Sequence, residues 1–541
     1  MPETSPARPR PNPASRRPAV RYAPPMSLDP ELCYRAVRSR DRRFDGRFFT
    51  AVVTTGVYCR PICPAPTPKR GNVRFFPCAS AAEEAGFRAC LRCRPESSPG
   101  TPAWSGASAT VSRALRLIAA GALDDEDVEY LAGRLGIGDR HLRRLFDAEL
   151  GTSPLAVAQT RRAHFARRLL DETGYSIAEI ASIAGFKSAR RFNDVMLRAF
   201  GRPPRELRRG GPRARMRPRD AVLTLRMPFR PPYNWTALSQ FLADRAVPGI
   251  ERFAGGTYAR TFESDGSTGV IEVRPVPGES HLELRVTPPP RALLGVVDRA
   301  RRLFDCGADP LRIAEDLSRD ATLARLLEQR PGLRVPGAWD GFELAVRAVL
   351  GQQITVKGAV TMAARLVEAY GRRFPAGDER GVGRLFPTAE ALAEADLASI
   401  GLPRARAEAL RALARAVRDG ELVLDAAGGA RDPLARMREI PGIGEWTAGY
   451  VAMRALGEPD AYPYGDLGLR AALERVEGKA LTPKETAARA ECWRPWRAYA
   501  TLLLWTHAAK TGDGNGPPGA RPATKRTHVS SSRSRTKARR T

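Results

Sequence analysis

The stretch IPGIGEWTAGYVAMRALGEPDAYPYGDLGLR, residues 440–470, decides how the C-terminal half of this chain is read. Gly442 and Gly444 stand in a tight turn between two helical patterns, and a turn with two glycines lets backbone N–H groups approach a phosphate. The helix that follows aims its N-terminal dipole at the same place. The pattern predicts a helix-hairpin-helix, which holds DNA by its backbone without reading sequence. A Pro-Gly-x-Gly run also occurs in ordinary turns, so the glycines alone are a weak signal. Asp466, 22 residues beyond Gly444, gives them weight.

Breaking an N-glycosidic bond builds positive charge on the deoxyribose, and one buried carboxylate can stabilise that charge and orient a water. Asp466 is the candidate, although an aspartate opening a helix also reads as a plain N-cap. Hairpin and aspartate together resemble the helix-hairpin-helix glycosylase superfamily. Members that also nick the strand carry a lysine nucleophile just after the hairpin. Trp446 takes that place here, and an indole cannot form a Schiff base, so the resemblance implies a monofunctional glycosylase.

Trp446, Tyr450 one helical turn on, and Trp505 in TLLLWTH match the pocket positions of AlkA-type 3-methyladenine glycosylases. Any one of these aromatics alone reads more often as core than as pocket; jointly they suit stacking of a cationic alkylated purine. The AlkA resemblance runs over about residues 221–510, including PPYNWTALSQFLADRAVPGIE and PGLRVPGAWDGFELAVRAVLGQQIT. Three positions depart from it. Gly465 precedes the aspartate where a second acid can occur, and Leu467 follows where an aromatic can occur. Gln353 stands where an apolar wedge fills the gap left by a flipped base, and its amide plane can stack there instead. The hairpin is also a candidate seat for a monovalent cation.

Upstream lies a helical unit with two similar halves. Val128, Leu131, Ala132 and Leu135 form one stripe, broken at Gly136. Asp139 is expected to cap a second helix, with Leu142 and Phe146 inward and Arg140, Arg143 and Arg144 outward. In the second half, Ser176 and Glu179 form a capping box, and Ile177, Ile180, Ala181 and Ala184 make the stripe. Gly185 turns the chain and Ser188 opens a helix whose Phe192, Met196, Ala199 and Phe200 pack inward. Arg190, Arg191 and Asn193 face out, where they can donate to base edges and phosphates. Either half alone is equally an ordinary bundle with a cationic face. In tandem, ending in AGFKSARRFNDVMLRAFGRPPREL, they resemble the AraC-type DNA-binding domain over about residues 108–208.

Nearer the start, Cys59 and Cys63 (GVYCRPIC) and Cys90 and Cys93 (CLRC) are two close thiol pairs, the ligand set of a closed tetrahedral site for one Zn²⁺. Arg60, Arg70, Arg74, Arg88, Arg92 and Arg94 crowd this window, more positive charge than a structural knuckle needs and what one presented to phosphates would use. Two readings stand: four inert ligands, or a zinc-activated thiolate beside DNA. TTGVYCRPIC, NVRFF and AGFRACLRCRP resemble the N-terminal methyl-acceptor domain of Ada proteins. That resemblance implies that Cys59 accepts a methyl group from a DNA methylphosphotriester while Cys63, Cys90 and Cys93 complete the zinc shell. Losing the thiolate charge at contact distance from a phosphate is worth about 1 kcal/mol in water and several when partly shielded, enough to raise DNA affinity about tenfold. Full-length Ada proteins carry a second active site, Pro-Cys-His-Arg; neither Cys306 (FDCGAD) nor Cys492 (AECWRP) has that context. Cys33, Cys78, Cys306 and Cys492 read as plain core or surface thiols.

The chain as a whole has 541 residues and a formal charge of +29, calling for several domains and a polyanionic partner. No apolar run approaches the roughly 20 residues that span a bilayer, and no signal-peptide core opens the sequence, so a cytoplasmic, nucleoid-associated protein is expected. The fold class expected is multidomain and mainly α. A Pro/Arg-rich disordered tail (1–26) precedes a small zinc-bound α/β domain (27–96) and an AraC-type double helix-turn-helix (108–208). A small antiparallel α+β domain (220–290), an all-α helix-hairpin-helix domain (291–511) and a basic disordered tail (512–541) follow. Linkers are expected at Ser97–Ala107 and Arg208–Arg219. Double-stranded DNA, at damaged sites and at a promoter operator, is the expected partner, with RNA polymerase as a second and no membrane. Tandem readers in one chain point to a monomer. The function expected is an alkylation response that joins base excision to methylation-switched regulation. The rivals are a regulator whose glycosylase region only binds DNA, and a repair enzyme that its other units merely tether.

Overall fold

The computed structural model describes residues 29–99, 109–119, 121–124, 126–208, 222–264, 266–290, 293–424 and 433–510. The expected disordered tails, and most of both expected linkers, lie outside these residues. None of the described helices is long and apolar enough to cross a membrane.

The first unit is a helix, Pro30–Ser39, beside a four-stranded sheet of β1 (Phe49–Val52), β2 (Val57–Cys59), β3 (Val73–Phe76) and β4 (Arg88–Ala89) in the order β3-β1-β2-β4. Asp29 caps the helix, its carboxylate accepting from the Glu31 amide at 2.9 Å. β2 and β4 run parallel, and the Cys90 amide donates to the Tyr58 carbonyl at 3.0 Å. That pairing brings the two cysteine pairs to one end of the sheet. Tyr58 is wholly buried, and its hydroxyl donates to Glu83 at 2.7 Å. Thr160 donates to the other Glu83 oxygen at 2.7 Å, so the strand ending in Cys59 is tied to a helix of the next unit.

That next unit has the two predicted halves, Val128–Arg134 with Asp139–Leu150 and Ile177–Ile183 with Ala189–Phe200, joined by the long helix Pro154–Glu172. Gly136 and Gly185 make the turns at φ +70° and +76°, the left-handed region that other residues reach only with strain. The Ser176–Glu179 capping box forms as its pattern predicts, and Ser188 caps the helix that follows it. Asp139 differs from expectation. Gly138 occupies the N-cap position without a side-chain bond, and Asp139 is the first helical residue, where its charge still suits the helix dipole.

The second sheet is fully antiparallel, with β5 (Leu223–Pro228), β6 (Glu251–Ala254), β7 (Thr257–Ser264), β8 (Ser267–Pro275) and β9 (His281–Thr287) in the order β5-β9-β8-β7-β6. The alternating stretches AVLTLRM, TYARTF, GVIEVRPV and HLELRVT coincide with β5, β7, β8 and β9, whereas the short edge strand β6 gives no such signal. One contiguous core runs from Phe49 in the first unit through the helix-turn-helix residues and this sheet to Trp339. A second core belongs to the helices that follow, and includes Val346, Leu410, Val451 and Trp493. The two halves meet through buried charge. Arg260 of β7 reaches Glu343 at 2.7 Å, and Arg347 reaches Glu251 at 2.9 Å and Glu343 at 3.0 Å. Each buried carboxylate thus has guanidinium partners, the condition under which buried ions are tolerated. At another seam Arg116 donates to the Leu456 carbonyl at 3.0 Å and to Glu458 at 2.6 Å.

Candidate active site and metal centre

A cavity of about 510 Å³ opens between the hairpin, the helices Glu445–Arg454 and Gly341–Leu350, and the turn after the latter. Gly442 turns the hairpin at φ +89°, and a Cβ there would lie 3.1 Å from Ala409 Cβ. Gly444 is the N-cap of helix Glu445–Arg454, and no side chain caps that helix. Its first amides are therefore not taken up by a cap and suit an incoming phosphate oxygen.

Trp446 and Tyr450, one turn apart on this helix, both line the cavity and stack with ring centroids 5.4 Å apart and planes 12° apart. Asp466 is 4% exposed and opens helix Leu467–Glu477. Its Oδ1 accepts from the Leu469 amide at 2.6 Å and from Trp505 Nε1 at 3.0 Å, and its Oδ2 accepts from Trp446 Nε1 at 2.7 Å. The N-cap role and the candidate catalytic role therefore fall on one carboxylate. Burial pushes this carboxyl above the ordinary range, while the Trp446, Leu469 and Trp505 donors act in the opposite direction. All three are donor-only groups and match the ionised form.

Trp505 stands apart from the expected pocket set. It does not line the cavity but supports Asp466 from behind, 6.3 Å from the Tyr450 ring. Gly465 and Leu467 are in the cavity wall on either side of Asp466, and Gln353 is at the cavity with φ +58°. No lysine lines the cavity among the described residues.

Sequence reasoning missed three arginines at this cavity, Arg245, Arg347 and Arg454. Arg454 donates to the Tyr450 hydroxyl at 2.7 Å and to the Pro336 and Gly337 carbonyls at 2.8 and 2.9 Å. Burial pushes the Tyr450 phenol up, but Arg454 and Arg245 outweigh it and hold it below its ordinary value. The four-residue spacing of Tyr450 and Arg454 on one helix was the signal that could have found this contact. Gln352, also missed, donates from its amide to the Gly442 carbonyl at 2.9 Å and to Thr447 Oγ1 at 3.0 Å.

At the other end of the molecule, the sulfurs of Cys59, Cys63, Cys90 and Cys93 lie within 4.8 Å of one another. Four thiols at this range fit a tetrahedral zinc shell, whose Zn–S distance of about 2.3 Å sets neighbouring sulfurs less than about 4 Å apart. Hydrogen bonding among the sulfurs, that to Cys59 foremost, brings Cys63 down to about 7 and Cys90 lower, while Cys59 and Cys93 are pushed up. Without a cation such a group cannot ionise together, which is the chemistry zinc supplies. Cys93 is buried and accepts from the Arg60 amide at 3.3 Å; the other three are half-buried.

The arginines of this window do not all face outward as expected. Arg60 turns inward to pair with Asp45 and donates to the Cys93 carbonyl at 3.2 Å, so it braces the zinc loops. Arg94 pairs with Glu96 at 3.0 Å and with Asp171, and Arg70 with Glu31 at 3.0 Å. Arg74, Arg88 and Arg92 remain exposed. In the helical unit Arg140, Arg143, Arg190, Arg191 and Asn193 are all exposed, and Arg143 lies 3.6 Å from Asp139.

Fold and sites together define a helix-hairpin-helix base-excision protein that also carries a zinc module and a double helix-turn-helix. Residues 32–96 match the profile described as the metal binding domain of Ada, and 131–210 a helix-turn-helix domain. Residues 224–340 match the AlkA N-terminal domain, and 346–498 the HhH-GPD superfamily of base excision DNA repair proteins. A probable bifunctional transcriptional activator/DNA repair enzyme AlkA of Mycobacterium tuberculosis is 44% identical over 89% of this chain and 97% of its own length. The chain belongs to that Ada–AlkA family of bifunctional regulator–repair proteins. DNA-3-methyladenine glycosylase 2 of Escherichia coli is 35% identical over 51% of this chain and 95% of its own. The bifunctional Ada enzyme of the same organism is 35% identical over 33% of this chain and 49% of its own.

Proposed function

We propose that this protein removes alkylated purines of the 3-methyladenine type from DNA by hydrolysis, and that it regulates transcription through methyl transfer to Cys59. The observation that carries the first part is Asp466, buried behind an aromatic wall, gripped by three neutral donors and hydrogen-bonded directly to Trp446 of the cavity wall. An extruded base enters the cavity against Trp446 and Tyr450, and the stacked rings favour an electron-poor purine. As the C1′–N bond breaks, the Asp466 carboxylate stabilises the positive charge on the sugar and a water attacks C1′. The water oxygen ends on C1′, its proton is released, and the purine leaves. With Trp446 after the hairpin and no lysine in the wall among the described residues, no Schiff base forms and the strand is not cut.

In the zinc unit, the bound metal would keep the four thiols ionised. Cys59 Sγ attacks the methyl carbon of a methylphosphotriester, the carbon–oxygen bond breaks, and the phosphodiester leaves as an anion. Cys93 is a poor acceptor because it is buried and already holds the Arg60 amide. The methylated Cys59 is a neutral thioether, so one negative charge near the DNA is lost while the exposed Arg74, Arg88 and Arg92 remain. Arg190, Arg191 and Asn193, with Arg140 and Arg143, then read a promoter operator. We place the working units at 27–96, 108–208, 220–290 and 291–511, acting on cytoplasmic DNA as a monomer that engages RNA polymerase.

Release of 3-methyladenine from alkylated DNA, measured for wild type and Asp466→Asn, tests the enzyme; equal rates overturn it. Borohydride trapping should yield no protein–DNA adduct. Mass spectrometry after incubation with methylphosphotriester DNA should show about 14 Da, one CH₂, added on Cys59; an unmodified Cys59 in zinc-loaded protein overturns the switch.

A further inference from the structure

The turn after helix Gly341–Leu350 presents two glutamines to the cavity, and they are held in different ways. Gln353 is exposed, its backbone lies in the left-handed region at φ +58°, and its side chain donates no hydrogen bond among the described residues. A non-glycine residue stays in that region only when its surroundings determine it. The determination comes from the residue before it. The Gln352 amide nitrogen spends one proton on the Gly442 carbonyl at 2.9 Å and the other on Thr447 Oγ1 at 3.0 Å. Its backbone carbonyl accepts from Arg406 at 2.8 Å, and its backbone amide reaches the Val349 carbonyl at 3.3 Å.

These partners are not interchangeable pieces of scaffold. Gly442 is the turn of the hairpin, Thr447 is buried in the first turn of the helix that carries Trp446, and Arg406 lies in the first turn of helix Arg404–Arg418. One side chain therefore fixes the tip that carries Gln353 to the element that meets the phosphate and to the element that receives the base. A tip anchored this way enters the duplex at a set distance from the gripped phosphate. A tip without the anchor would be free to relax its φ and lose that distance.

We propose that Gln352 is a positioning residue for base extrusion, clamping Gln353 to the hairpin so that phosphate grip and insertion into the duplex happen together. The inference rests on the glycosylase reading above. Gln352 acts on the cost of taking a base out of a duplex and has no part in breaking the glycosidic bond, which separates it from a residue that only supports the fold.

The test compares the full chain with its Gln352→Ala and Gln352→Glu variants. The second keeps the size of the side chain but presents no amide donors. One oligonucleotide, methylated with dimethyl sulfate, is supplied either as a duplex or as a single strand, and single-turnover release of 3-methyladenine is followed. Both variants should slow release from the duplex by about tenfold, the effect of two lost hydrogen bonds, and leave release from the single strand within about twofold. An equal loss on both forms, or no loss on the duplex, overturns the proposal. A second arm needs no excision: in an Asp466→Asn background, 2-aminopurine beside an abasic analogue reports unstacking when protein binds. Adding Gln352→Ala should reduce that fluorescence rise at unchanged DNA affinity; an undiminished rise overturns the clamp. Wild-type protein that releases no 3-methyladenine from either form overturns the glycosylase reading instead, and the fluorescence arm still decides this one.

Discussion

Asp466 and Cys59 are the two residues proposed to act on alkylated DNA, and the fold houses them in opposite ways. Asp466 is buried, and each of its oxygens is held by an N–H donor. Cys59 is half-buried at a strand end, among three other sulfurs rather than among donors. A group that must return unchanged after each turnover benefits from a fixed, dry environment that stabilises charge at the reacting centre. A group that reacts once needs access and a high charge density, because nothing has to be restored. Burial and donor count thus set the candidate catalyst apart from the candidate acceptor.

The sharpest break between them is chemical. Cys59→Ala should abolish the methyl adduct entirely while excision of 3-methyladenine stays within about twofold, since no bond links Cys59 to the cavity; mass spectrometry and base release on the same preparation read both. Asp466→Asn should do the reverse, lowering excision about a thousandfold while the Cys59 adduct still forms. Chelating the zinc should act like Cys59→Ala on the adduct and spare excision, and a parallel fall in both activities would show that the two centres are not separable.

Trp446→Phe removes one donor to the Asp466 carboxylate. A hydrogen bond to a charged group is worth about 1.5–3 kcal/mol, so excision should fall about 10- to 100-fold. The pH profile should move with it. Asp466 acts ionised, and burial raises its pKa, so activity is present above that pKa and lost as pH falls through it, on a limb above the ordinary carboxylate value of about 3.9. Without the Trp446 donor the charged form is less favoured, and the limb should shift to higher pH; a limb that does not move would detach Trp446 from Asp466. Tyr450→Phe is the mildest change. It keeps the ring that stacks and removes one of the three acceptors of Arg454, so kcat/KM should change by less than about fivefold.

Much of this was legible because the motifs are local. Gly136 and Gly185 are needed for φ, the capping box at Ser176 is a fixed spacing, and the cysteine pairs sit on their own turns. What was not legible depends on partners far away in sequence. Arg60 reads as a phosphate ligand until Asp45 is seen beneath it, and Trp505 reads as pocket wall until it is found behind Asp466. Gln353 is a candidate from its place in the chain alone, whereas the contact of Gln352 with Gly442, ninety residues on, has no local signal. β6 escaped because four residues at a sheet edge carry no readable alternation.

The core that begins at Phe49 and ends at Trp339 crosses the boundaries of three family profiles without interruption. Side chains that share one apolar interior lose it together, so these parts should melt as a single calorimetric transition, with the helices around Val451 and Trp493 forming the other. The places where such a chain was assembled from older genes would then differ from the places where it comes apart under heat. Swapping in a relative's zinc module would have to preserve Tyr58, Glu83 and Thr160 as a set, because that graft would cut through a cooperative unit and not between two.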